Sequence, residues 1–173
     1  TTMRIVTISR EFGSGGRELG KRLADELNFD YYDREIIDTI AHNTGTDPNY
    51  VFTVLENHGW KNIPLTFRQS VKSSLTVQYA QTELLIEQKR VIEEIAKHGN
   101  DCVIVGRNAD VLLQDYCPFN IFVCADVQAK IRRCMERATQ DENLTPKVLK
   151  RKMQNIDKQR KQIRDILTGS KWG

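Results

Sequence analysis

The chain has 173 residues, 39% apolar and 28% charged, with 26 basic against 23 acidic side chains and a net charge of +3. That length suits one domain, 1–173, with a real core; no apolar run approaches the roughly 20 residues of a membrane helix, and the N-terminus does not open as a signal peptide. A soluble, cytoplasmic protein with no membrane partner is expected. Cys102, Cys117, Cys124 and Cys134 form no C-x-x-C pair, and His42, His58 and His98 stand alone, so neither a disulfide framework nor a protein-built metal site is expected. Cys102 and Cys124 fall inside apolar strand-like runs, as small buried hydrophobes do.

Arg4 to Ile8 is a short β-branched run that leads into Ser9-Arg10-Glu11-Phe12-Gly13-Ser14-Gly15-Gly16, and reads as a strand followed by a glycine-rich loop. Beyond the loop, Leu19, Leu23 and Leu27 recur at i, i+4, i+8, which predicts a helix from about Arg17 packed on a sheet through that stripe. Phe29 to Tyr32 reads as a second strand. Asp33 is then placed to cap a helix from Arg34 to about His42, with Ile36, Ile37 and Ile40 on its apolar face. Asp47-Pro48 starts another helix by N-cap and proline. Gly59 to Pro64 reads as a connection, and Leu65 to Lys97 as the longest helical stretch, with Leu84, Leu85, Val91, Ile92 and Ile95 on one side. Cys102 to Gly106 and Asn120 to Cys124 are apolar runs too short for helices and suited to strands buried on both faces. Helices between the strands argue for a parallel sheet. Asp126 caps a basic helix through about Ala138, and Thr145-Pro146 opens a last, strongly basic one.

The modest net charge conceals an asymmetry. From Thr145 to Asp165 eight basic residues face only Asp157 and Asp165, a local +6, which leaves −3 for the rest of the +3 total. A cationic segment on a slightly acidic body points to a polyanionic partner, and a solvated helix face is the plain alternative.

A glycine loop between a first strand and a first helix lets backbone N–H groups and the helix dipole converge on a phosphate, although such a loop can also be a simple turn. The dinucleotide pattern G-x-G-x-x-G fails, because Glu18 stands where the third glycine belongs. Gly15 to Arg22 nearly fits the Walker pattern through Gly20-Lys21. There, however, Arg22 replaces the Ser or Thr that holds magnesium, and the lysine falls inside the helix. A loop over Arg10 to Gly16 puts Gly16 at the Walker lysine position and Arg17 at the hydroxyl position. Arg10 and Arg17 flank it and can neutralise phosphate oxygens.

Four segments lie in order over nearly the whole chain: I-S-R-E-F-G-S-G-G-R-E-L-G-K-R-L-A, then Y-Y-D-R-E-I-I, then V-I-V-G-R-N-A, and last I-D-K-Q-R followed by T-G-S-K-W-G. Together they resemble the cytidylate kinase-like family, relatives of bacterial cytidylate kinase among the P-loop nucleoside monophosphate kinases. The resemblance implies an α/β, three-layer P-loop NTPase fold with a parallel sheet. Its core would be 3–33 and 100–138, with a helical monophosphate-binding insertion over 34–99 and a basic helical lid over 139–165.

The same resemblance implies the site. Arg10, Gly13, Ser14, Gly15, Gly16 and Arg17 would bind the ATP phosphates. Gly106-Arg107-Asn108 is similar to a G-R-D motif with Asn108 in place of the aspartate, and Asp157 and Arg160 fit the lid spacing, with Met153 where a first arginine would stand. Asp33, Arg34, Arg107, Asn108 and Asp157 would hold an acceptor, CMP or dCMP, and Arg107, Arg160 and Arg17 would stabilise the transferred group. Magnesium would come with ATP, held by water and nucleotide oxygens with Ser14 nearby. For Asp33 a helix cap is an equal reading, and for Arg107 a sheet-end ion pair is the alternative. The implied function is transfer of the ATP γ-phosphoryl group to CMP or dCMP. A nucleotide-binding regulatory module with little kinase activity is the alternative, and a nucleic-acid-binding protein a distant third.

Overall fold

The computed structural model describes residues 3–57, 74–138, 145–168 and 172. The expected connection at Gly59 to Pro64, His58 and the first part of the long helix lie outside them. Strands β1 (Ile5–Arg10), β2 (Asp30–Tyr32), β3 (Cys102–Val105) and β4 (Phe119–Val123) form one all-parallel sheet in the order β2-β3-β1-β4. The helices are α1 (Gly16–Leu27), α2 (Arg34–Thr44), α3 (Pro48–Phe52), α4 (Ser74–Lys97), α5 (Ala109–Leu112), α6 (Val127–Arg137) and α7 (Pro146–Thr168). A single wide helical turn, Thr53–Asn57, follows α3.

The pleat of β3 explains the layering. Cys102 and Ile104 face one side with Ile5, where Ile36, Ile37 and Ile40 of α2 and Leu84, Val91 and Ile92 of α4 complete a core. Val103 and Val105 face the other side with Val6, Ile8 and Ala24 of α1. Alternate residues of a strand covered on both faces are all apolar, as the sequence run implied. Full burial of each such isoleucine stabilises the fold by about 1.5–3 kcal/mol. A third, smaller cluster of Ile131, Leu149 and Met153 joins α6 to α7.

Three caps are as expected. Asp47 accepts from the N–H groups of Asn49 and Tyr50, Asp126 from Gln128 and Ala129, and Thr145 Oγ1 from Val148. Cys102 is buried in β3, which pushes its thiol up to about 11.

Elsewhere the structure differs from the expectation. The buried stripe of α1 is Gly16, Gly20 and Ala24, while Leu19 and Leu27 are 43% and 44% exposed. The helix lies so close to the sheet that a Cβ on Gly20 would stand 2.8 Å from Val105 Cγ2 and 3.1 Å from Ile8 Cδ1; small residues occupy the contact and the leucines flank it. Among the described residues β4 pairs with β1 alone and is partly exposed, with Phe119 69% accessible, so its apolar run does not mark a strand buried on both faces, and Cys124 is exposed. Asp33 precedes α2 without capping it.

No helix among the described residues is long and apolar enough to cross a membrane.

Candidate active site

Parallel pairing sets the C-terminal ends of β1, β3 and β4 side by side, Ile8 opposite Val105 and Arg10 opposite Val123. The loops leaving these ends, 11–15, 106–108 and 124–126, therefore gather at one edge of the sheet, where open α/β sheets bind ligands. The first loop is tied down at both ends. Glu11 N–H donates to Val123 O at 3.0 Å, and the Ser14 hydroxyl and N–H both donate to Glu11 O, at 2.8 and 3.3 Å. Gly15, at φ +93°, turns the chain into α1.

A cavity of about 330 Å³ opens over this loop, lined by Arg10, Glu11, Phe12, Gly13, Gly16, Arg17, Phe52, Arg133, Cys134, Arg137, Ala138, Leu149, Lys152 and Arg160. Six of these side chains are cationic and one is anionic. A helix N-terminus beneath such a set is suited to a polyphosphate. Beside it lies a smaller cavity of about 30 Å³, lined by Ser9, Arg10, Leu55, Gln88, Gly106, Arg107, Asn108, Arg160, Ile163 and Trp172. Arg10 and Arg160 line both.

Gly16 excludes a lysine. A Cβ there would fall 2.6 Å from Arg10 Cβ, so the position that the sequence register sets at the Walker lysine takes no side chain unless Arg10 is displaced. The near-Walker register fails as well, because Gly20 serves helix–sheet contact and Lys21 makes an exposed surface pair with Asp25 at 2.6 Å. Arg17 is held by Asp33, Nε to Oδ2 at 2.7 Å and Nη2 to Oδ1 at 3.3 Å, which accounts for the buried Asp33 better than a cap does. Arg34 is exposed and, with Asp33 and Asp157, lines neither cavity.

Gly106, Arg107 and Asn108 take φ values of +75°, +61° and +54° in succession. Non-glycine residues rarely enter this left-handed region and lose roughly 1–2 kcal/mol each by doing so. The strain is braced from α4, where the buried Gln88 donates Nε2 to Arg107 O at 3.1 Å. Arg107 itself is 6% exposed and points into the smaller cavity.

The basic helix α7 is divided by its own periodicity. Leu149, Met153 and Ile156 are buried, Lys147, Lys150, Arg151 and Lys158 face solvent, and Arg160 and Arg164 turn inward with side chains 15% and 12% exposed. Met153 is therefore a core residue against Ile131 and Leu149, and its position offers no substrate contact. Two side chains dock this helix on the loop: Asp157 Oδ1 accepts from Phe12 N–H at 2.8 Å, and Arg160 Nη1 donates to Arg10 O at 3.0 Å. Burial pushes the Asp157 carboxyl above its ordinary value, against the opposing Phe12 hydrogen bond and the Arg160 charge.

Reasoning from sequence missed Glu11, Gln88, Lys130, Arg133 and Arg137. Lys130, almost fully buried on α6, bonds Glu11 Oε2 at 2.7 Å. Arg133 and Arg137 both bind Glu18, and together hold its carboxyl below the usual range, Arg137 first. Arg133 also lies over Gly15, where an added Cβ would stand 3.3 Å from Cζ. Their i, i+4 spacing on a basic helix was visible, but nothing in it said which face meets the loop.

A comparison with curated protein sequences found no match. Among solved structures, an uncharacterized protein from Eubacterium ventriosum superposes with a TM-score of 0.68 at 27% identity, covering 99% of this chain and 81% of that one. Shikimate kinase from Bacteroides thetaiotaomicron superposes at 0.55 and 15% identity, covering 95% and 81%. Shikimate kinase from Acinetobacter baumannii, solved with shikimate, superposes at 0.50 and 15% identity, covering 96% and 78%. At that identity the likeness shows the fold alone, the α/β P-loop NTPase architecture, and nothing about activity or substrate. The family model described as cytidylate kinase-like matches residues 5–173. With that match over nearly its whole length, and a glycine loop feeding a helix at the end of a parallel β1, the chain belongs to the cytidylate kinase-like family.

Proposed function

We propose that the protein transfers the γ-phosphoryl group of ATP to a nucleoside monophosphate, with CMP or dCMP as acceptor. The observation that carries this reading is the pair of adjoining cavities at the strand ends: a cationic one over the glycine loop for the donor phosphates, and one walled by Arg107, Asn108 and Gln88 for the acceptor, with Arg10 and Arg160 common to both. Transfer between phosphates needs alignment, charge neutralisation and exclusion of water more than covalent help. The loop N–H groups and Arg133 would receive the donor; Arg107 and Arg160 would neutralise the group in flight. The smaller cavity is too tight for a nucleotide, so α7, docked through Asp157 and Arg160, must swing away for the acceptor to enter.

The acceptor base rests on the family resemblance together with the amides of Asn108 and Gln88, which can pair with a pyrimidine edge. Magnesium would come with the nucleotide, coordinated by its phosphate oxygens and by water. Ser14 gives its proton to Glu11 O and keeps its oxygen as one hard ligand. Bound there, the ion supplies further neutralisation of the donor phosphates.

A panel of nucleoside monophosphates incubated with ATP and magnesium, with products separated by chromatography, tests the reading. CDP or dCDP should form fastest, and Arg107→Ala should lower turnover roughly 10²-fold. Nucleotide binding without transfer to any monophosphate would instead support a regulatory module, the reading that the exclusion of a lysine at Gly16 favours.

A further inference from the structure

We propose that Arg10 does the work of the absent P-loop lysine: its side chain runs over Gly16 to Gly106, and its guanidinium, against Gly106, is the cation that meets the terminal phosphate of the donor where the two cavities join. This rests on the phosphotransfer reading above and deepens it.

The side chain leaves the last residue of β1 and is 7% exposed. Its first carbons lie over Gly16, where a Cβ would come within 2.6 Å of Arg10 Cβ and 3.0 Å of Cγ. Its far end lies against Gly106, where a Cβ would stand 1.8 Å from Nη1 and 2.8 Å from Cζ. Two glycines from distant parts of the chain, one opening α1 and one just after β3, thus leave room for one arginine side chain, Gly16 for its first carbons and Gly106 for its guanidinium. Neither opening is explained by backbone geometry alone. Gly16 sits in ordinary helical conformation, and the positive φ of Gly106 is shared by Arg107 and Asn108, which carry side chains.

Position then argues role. Arg10 lines both cavities, and its carbonyl is held by Arg160 Nη1, the other residue common to them. Arg17, at the neighbouring end of the loop, also lines the larger cavity but not the smaller one, is paired with Asp33 and has a side chain 53% exposed, so solvent screens its charge more. A buried, fixed guanidinium presents a planar fork that matches two phosphate oxygens and does not have to reorganise as charge moves. In the step itself an acceptor phosphate oxygen bonds to the γ-phosphorus while the bond to the β,γ-bridging oxygen breaks, and the electron pair leaves on ADP. Arg10 neither gives nor takes a proton.

The test compares wild type, Arg10→Ala, Gly106→Ala and the double variant. Affinity for ATP and for AMP is measured by calorimetry, and turnover is followed with and without millimolar guanidinium. In Arg10→Ala, ATP should weaken roughly 10-fold or more while AMP barely changes, turnover should fall roughly 10²-fold, and free guanidinium should restore part of it. Gly106→Ala should weaken ATP in the wild-type background and do much less in the Arg10→Ala background, because the displaced group is already gone. Arg10→Gln, nearer in volume, replaces Arg10→Ala if the latter does not fold. An unchanged ratio of ATP to AMP affinity on loss of Arg10 overturns the proposal. Loss of that discrimination in a protein that phosphorylates no monophosphate keeps Arg10 as the cation reading the terminal phosphate and overturns the phosphotransfer reading alone.

Discussion

Gly20 shows how one position decides between two sequence patterns. As part of G-K it belongs to a near-Walker motif; in the folded chain it is the contact at which α1 meets Val105 and Ile8. Replacement by alanine sets two effects against each other. Helix propensity gains about 1 kcal/mol, while forcing a methyl into a contact of 2.8 Å costs about 1–3 kcal/mol in a packed core. The overlap is with core side chains that cannot move into solvent, so the cost prevails. Gly20→Ala should be destabilised by about 1 kcal/mol in urea unfolding, with ATP affinity changed little, since Gly20 lines neither cavity. A stabilised variant would show that the helix can lift off the sheet at no cost.

At the scale of elements, the docking of α7 on the loop has a pH signature. Burial raises the Asp157 carboxyl above its unfolded value of 3.8, so the folded state holds that proton more tightly. Stability from this group is complete below 3.8 and falls as pH rises through the raised value, because the unfolded chain releases the proton first. Neighbouring Lys130 and Arg160 limit the loss, and Glu11 adds to it. Asp157→Asn keeps an acceptor for the Phe12 N–H and carries no charge to desolvate. Urea unfolding across pH 3.5–7 should therefore show the stability of the variant improving relative to wild type as pH rises above 3.8, then levelling. A difference independent of pH would remove the buried-carboxylate account of the docking. The C-terminal tryptophan marks the same region: Trp172 packs edge-on against Phe122 of β4, ring centres 5.2 Å apart, and lines the cavity of Arg107.

For the molecule as a whole, the core and the site lie at different places on one sheet. The two apolar clusters sandwich the strands, while the cations crowd the strand ends. A ligand that binds only the folded chain adds its binding energy to that of the core; at one hundred times its dissociation constant this is about 2.7 kcal/mol. For a chain of this length the melting temperature should then rise by roughly 5–10 °C with saturating ATP. The rise should shrink at high salt, since cations exposed at the cleft are screened. No shift with ATP would mean that the cationic cleft does not take nucleotide.

The sequence alone determined the order of the strands, the parallel sheet, the caps at Asp47, Asp126 and Thr145, and the glycine loop between β1 and α1. These are matters of period, length and local hydrogen bonding, which act over a few residues. What only the tertiary structure decided is what each residue faces. That α1 packs through Gly16, Gly20 and Ala24, with Leu23 beside them and Leu19 and Leu27 left exposed, follows from how near the helix lies to the sheet. That β4 is partly exposed follows from what packs on it: Ile121 and Val123 meet the cluster under α1, while Phe119 and Phe122 stay accessible. That Met153 is core while Arg160 reaches the loop follows from the way α7 lies on α6, and that Arg10 runs between Gly16 and Gly106 follows from the pairing of β1 with β3. Contacts between residues 90 or 150 positions apart leave no periodic trace in the chain, because they are set by the packing of whole elements.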